Sequence, residues 1–78
     1  MKREILEKRI YKHFKGNLYK VITIATDSET NEEVVVYQDI IKKTVWVRPY
    51  NMFNSLVDKE KYPDVFQKYR FELEDNND

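Results

Sequence analysis

Three runs of β-branched and aromatic residues fill the middle of this chain, over residues 18–26, 34–41 and 44–48. Such side chains pack well on a pleated surface and lose rotamer freedom in a helix, so the runs predict strands. None holds Gly or Pro, and Pro49 closes the third. Between the first two lies Asp27-Ser28-Glu29-Thr30-Asn31-Glu32-Glu33, a polar loop of turn-forming types. Thr30-x-x-Glu33 matches a capping box, but a strand-like run follows it, so it is not read as a helix start.

The only glycine, Gly16, precedes Asn17 between two candidate strands. As the first central residue of a two-residue loop, Gly supplies the positive φ of a tight hairpin. With Gly16-Asn17 as the loop, Phe14 faces Tyr19 and Lys12 faces Val21. Ile10, Phe14, Tyr19, Val21 and Ala25 then share one face, with Lys12 and Thr23 as polar exceptions. Tyr11, His13, Lys20 and Ile22 take the other.

The ends differ. Ile5, Leu6 and Ile10 are spaced for a short amphipathic helix, although residues 3–10 also admit a strand. Met52, Phe53, Leu56 and Val57 suit one or two helical turns starting near Asn51. Residues 58–63 read as a loop. Phe66, Tyr69, Phe71 and Leu73 are spaced for a last strand, and residues 74–78 as a disordered acidic tail.

With 78 residues there is room for one core, so residues 1–73 are expected to form a single small β domain. Leu, Ile, Val and Phe supply 22 residues, above the level that signals disorder. A domain this small buries only about 60% of its unfolded surface, so its stability margin is thin. The expected fold is mainly β: a small SH3-like barrel or rolled antiparallel sheet of four to five strands with short helical turns. Closure hides strand edges that a flat meander leaves exposed.

Net charge is zero, but its distribution is uneven. Residues 1–20 carry a surplus of five positive charges, and residues 21–40 carry five acids and no base. Neighbouring strands from these segments would neutralise each other, and a basic face for phosphates is the alternative. The longest apolar run, Val34-Val35-Val36-Tyr37, is far short of a membrane span or signal-peptide core. The expected setting is cytoplasmic, away from membranes, as a monomer or homodimer.

The lone His13 is the first place to seek a general acid or base, because its unperturbed pKa lies near neutrality. A strand histidine that is hydrogen-bonded or half exposed is the plainer reading. Ser28 lacks a Gly-x-Ser-x-Gly setting, so a nucleophile there is poorly supported. One His and no Cys exclude a standard zinc site, and the run from Asp27 departs from a calcium loop at its sixth and twelfth positions, Glu32 and Gln38. No metal or cofactor is expected. Trp46-Val47-Arg48-Pro49 offers more: a planar five-donor fork beside an aromatic platform suits a carboxylate, a phosphate or a stacked base. The competing reading pairs Arg48 with Glu29 or Glu33 and buries Trp46 as a core anchor.

Several blocks in order carry a family likeness: Tyr11-Lys12-His13-Phe14-Lys15-Gly16-Asn17-Leu18-Tyr19, Ser28-Glu29-Thr30, Val35-Val36-Tyr37 and Trp46-Val47-Arg48-Pro49-x-x-Met52-Phe53. Over about residues 10–53 the chain resembles a small bacterial family catalogued as domain of unknown function 1653. That resemblance implies a compact, mostly β domain and no particular activity. Members place a Tyr-Gly-containing turn where this chain has Ile40-Ile41-Lys42-Lys43, so Lys42-Lys43 must turn by another backbone route. Residues 1–9 and those beyond Pro63 look particular to this chain.

The candidate ligand-binding residues are His13, Glu29, Tyr37, Trp46 and Arg48. Three functions follow from them. A binding module for a protein segment or small polar ligand uses the aromatic and Arg surface. A nucleic-acid binder uses the basic residues of 1–20 and shows steep salt dependence. A hydrolase-like enzyme uses His13 with Ser28 or Glu29. The first is the expected one.

Overall fold

The computed structural model describes residues 3–74, so the acidic tail expected over 74–78 lies, apart from Glu74, outside the described residues. Its elements are β1 (Ile10–His13), β2 (Leu18–Thr26), β3 (Glu33–Asp39), β4 (Val45–Pro49), α1 (Tyr50–Phe53) and β5 (Phe71–Leu73). They form one antiparallel sheet in the order β4-β3-β2-β1-β5. Among the described residues no ladder joins β4 to β5, so the sheet is open rather than closed into a barrel. It is nonetheless strongly curled. In a flat sheet β3 and β5 would lie about 14 Å apart, at roughly 4.8 Å per strand. Instead the rings of Tyr37 and Phe71 meet at 5.5 Å.

The first hairpin corrects the sequence reading. Its loop is three residues long, Phe14-Lys15-Gly16, closed by Gly16 N donating to the His13 carbonyl at 2.7 Å and His13 N to the Asn17 carbonyl at 2.9 Å. Gly16 sits at φ 110°, the left-handed position that ends a three-residue loop. Tyr19 therefore faces Tyr11 rather than Phe14. An odd shift in register exchanges the two faces of β1, so Tyr11 and His13 turn to the core and Phe14 leaves it. A bulge between Val21 and Thr23 then switches the faces of β2. Val21 and Ile24 point inward, and Ala25, expected on the core face, pairs with Val34 on the other.

Residues 3–9 form no helix. They run past the bulge, where Glu7 Oε2 accepts from Ile24 N at 2.7 Å and from the Thr23 hydroxyl at 2.8 Å. Two tyrosine hydroxyls hold the same segment: Leu6 N donates to Tyr11 and Ile5 N to Tyr50, both at 2.9 Å. Buried Ile5 joins a core of Tyr11, Val21, Val35, Tyr37, Phe53 and Phe71. Phe53 comes from α1 and stacks on Phe71 with centroids 4.0 Å apart and planes 5° from parallel. The last strand begins at Phe71, later than the spacing suggested. Phe66 is fully exposed, and Tyr69 makes only an isolated bridge to Leu56.

The β3–β4 turn supplies the missing backbone route. Buried Asp39 accepts through Oδ1 from Ile41 N at 2.8 Å and Lys42 N at 2.9 Å, and Lys43 takes φ 67°. A left-handed residue with a Cβ costs about 1–2 kcal/mol, which Gly avoids. Lys43→Gly is therefore expected to stabilise the domain by up to about 1 kcal/mol, because Gly also loses more freedom on folding. A thermal melt checks it; a lower midpoint would show that the Lys43 side chain matters more than its backbone. Among the described residues no helix is long and apolar enough to cross a membrane.

Candidate functional site

Register decides which β4 side chains meet the core. Trp46 pairs with Tyr37 and Arg48 with Val35, whose side chains point inward, so Val45 and Val47 face out. β4 is an edge strand, and Trp46 stays 50% exposed at the rim instead of anchoring the core. Arg48 reaches further in. Its Nε donates to the Tyr37 hydroxyl at 3.1 Å, and its guanidinium carbon lies 5.7 Å from the centroid of the Phe71 ring. Among the described residues it pairs with neither Glu29 nor Glu33.

His13 enters the same space from the end of β1. Its ring stacks on Phe14 at 4.4 Å and meets the edges or faces of Phe71 and Tyr19 at 4.9 and 6.5 Å. Lys15 N donates to Nδ1 at 3.1 Å, which places the proton of the neutral ring on Nε2. Burial, and then the positive charges of Arg48, Arg70 and Lys15, push its pKa down to about 4. The ring is neutral at pH 7 and presents one N–H donor.

The shift has a stability consequence. The unfolded chain protonates His13 near pH 6.5, whereas the folded chain resists until about pH 4. Stability is therefore full above about pH 6.5, falls as pH drops to 4, and loses nothing more from this group below that. Because the ring is partly solvated, the expected loss is about 1 kcal/mol rather than the full linkage value. Urea midpoints at pH 7 and pH 4.5 check it: His13→Gln should flatten the slope, and an unchanged slope would remove His13 from the acid response.

Two adjoining cavities share His13 and Arg48. One, of about 170 Å³, is lined besides these by Tyr19, Tyr37, Trp46 and Phe71. The other, of about 330 Å³, adds Lys15, Lys61, Arg70, Phe14, Tyr62, Val57 and Asp58. Arg70 is held as Arg48 is, through its Nε, here donating to the Ser55 hydroxyl at 3.2 Å. Asp58, the one acid there, accepts from Glu60 N and Lys61 N at its own turn. The surplus is thus cationic.

The fold brings together four of the five expected residues, His13, Tyr37, Trp46 and Arg48. Glu29 lies apart in the β2–β3 loop, where its backbone N–H donates to Asp27 Oδ1. Ser28 and Glu29 follow the far end of the nine-residue β2 from His13. At about 3.3 Å per residue, the strand separates them by roughly 25 Å along its length. The basic residues of 1–20 also diverge: Lys15 lines the cleft, Lys8 reaches the Ile22 carbonyl, and Arg3 lies over Tyr69. Sequence reasoning missed Arg70 and Lys61, which carry no local motif. Lys15 was visible beside the single glycine.

Residues 9–73 match the family model described as protein of unknown function (DUF1653). The chain belongs to this family. No curated protein and no solved structure gives a significant match. The match runs beyond Pro63, correcting the expectation that this stretch is particular to the chain, and takes in β5 and Arg70. The DUF1653 span therefore contains both cavities, while the residues that cover the β2 bulge, up to Lys8, precede it.

Proposed function

We propose that this DUF1653 domain is a non-enzymatic binding module that recognises an anionic group in the cleft of His13, Lys15, Arg48, Lys61 and Arg70. The observation that carries this reading is the matched setting of the two arginines. Each spends its Nε on a hydroxyl, Tyr37 for Arg48 and Ser55 for Arg70, and among the described residues neither forms another side-chain hydrogen bond. A guanidinium fixed in this way keeps its terminal N–H groups for a carboxylate or phosphate, with little entropy left to lose. The neutral His13 adds a donor without a further repelling charge. The same hydrogen bond argues against the enzymatic reading: Lys15 N–H occupies Nδ1 and leaves Nε2 protonated, so no ring lone pair is free to act as a base. Lys15, Lys8 and Arg3, held at three separate places, speak against a continuous basic track for the nucleic-acid reading.

Calorimetric titration with pyrophosphate at low salt tests the proposal. Binding is expected at one site, weakened about tenfold by Arg48→Lys, which keeps the charge and loses the fork. An affinity equal in wild type and in an Arg48→Ala, Arg70→Ala variant would place the anion elsewhere and sink the reading.

A further inference from the structure

The two cavities are unequal in chemistry and share two lining residues, His13 and Arg48. The smaller is lined by Tyr19, Tyr37, Trp46 and Phe71 besides His13 and Arg48, and half-exposed Trp46 offers a ring on which a planar group can stack. In the larger, Lys15, Arg48, Lys61 and Arg70 face a single carboxylate, Asp58. The aromatic cavity, about 170 Å³, is below the ~300–1,000 Å³ typical of small-molecule sites, whereas the cationic one, about 330 Å³, falls within it. Trp46 adds a separate hint. The core is already filled by the Phe53–Phe71 stack, yet the chain's single Trp stands half exposed at the rim of the aromatic cavity.

We propose that the two adjoining cavities together take a nucleoside phosphate, with its base stacked on Trp46 and its phosphate between Arg48 and Arg70. This rests on the anion-binding reading and adds the second half of the ligand. Arg48 is the pivot, since its guanidinium lies over Phe71 and its side chain lines both cavities. Stacking reads a π-face and not a hydrogen-bond pattern, so preference among bases is expected to be small. The phosphorylated base is either free or the 5′ end of a single strand.

Trp46 is the only Trp, so its fluorescence reports the site directly. AMP, ribose 5-phosphate, adenosine, phenyl phosphate and pyrophosphate are titrated in turn, with a trinucleotide bearing either a 5′-phosphate or a 5′-hydroxyl. AMP is expected to bind at least tenfold more tightly than ribose 5-phosphate or adenosine. Calorimetry on Trp46→Ala, a change at an exposed rim that leaves the core intact, should bring AMP to the level of ribose 5-phosphate. A 5′-phosphorylated trinucleotide tighter than AMP assigns the strand end as source, and a weaker one assigns the free nucleotide. If AMP binds no better than ribose 5-phosphate, while pyrophosphate binds, the base is wrong and the anion reading stands. Phenyl phosphate as tight as AMP, or a 5′-hydroxyl trinucleotide as tight as its phosphorylated form, also overturns the nucleotide. If neither pyrophosphate nor AMP binds, both readings fall.

Discussion

Phe71→Ala is expected to cost about 3–5 kcal/mol and leave the domain largely unfolded at 37 °C. The ring is 1% exposed, stacks on Phe53 at 4.0 Å and meets Tyr19, Tyr37 and His13 edge-on. It reaches all of these from a strand of only three residues, which otherwise relies on its short ladder to β1. Removing it leaves a void in a core too small to collapse without moving its strands. At ~0.05–0.15 kcal/mol per residue, the whole domain has about 4–12 kcal/mol to lose. Urea unfolding followed by far-UV circular dichroism measures the loss. Phe66→Ala is the control: the same substitution at a fully exposed ring should change stability by less than about 0.5 kcal/mol. Similar losses at both positions would mean that the core is not organised around the Phe53–Phe71 stack.

Asp39→Ala should give the next largest effect, about 2 kcal/mol. Its carboxylate is 5% exposed and accepts two turn N–H groups that have no other partner in the hairpin. Charge-assisted bonds of this kind are about twice as strong as neutral ones. Asp39→Asn keeps an acceptor oxygen in the same place and should recover roughly half of the loss. In a domain of this size 1 kcal/mol moves the melting midpoint by about 4–8 °C, so a thermal scan resolves all three proteins. An Asn variant as unstable as the Ala variant would show that charge, rather than the turn geometry, holds Asp39 in place. The turn also fixes the start of β4, so loosening it should mobilise Trp46 before Arg48.

Much of the site was legible because strands alternate. Trp46 and Arg48 share a face of β4 by parity, and the register that the β3–β4 turn sets, with Trp46 opposite Tyr37, puts Tyr37 on that face as well. His13 was chosen by chemistry and reached the same face for a reason the sequence did not reveal. A two-residue loop at Gly16-Asn17 sends it outward, whereas the three-residue loop ending at Gly16 turns it in. Both loops place glycine at a positive φ, so the glycine alone does not choose between them. Glu29 failed differently: it sits in the polar block Ser28-Glu29-Thr30 of the family likeness, but the length of β2 carries that loop away from the hairpin holding His13.

The mainly β character and the approximate positions of β2, β3 and β4 were determined by the sequence itself, since β-branched and aromatic runs bounded by polar turns are local signals. So was the spacing of Trp46 and Arg48 on β4, two residues apart and on one face. Tertiary structure decided the rest. The bulge that reverses the faces of β2, the extended path of residues 3–9 under two tyrosine hydroxyls, and the arrival of Arg70 beside His13 all depend on partners distant in the chain. Ile5, for instance, gives the same helical spacing in either case, and only the Tyr50 hydroxyl, 45 residues away, holds its N–H in an extended segment. A local pattern fixes which faces are apolar; which groups those faces and their rims bring together is set by how the sheet curls.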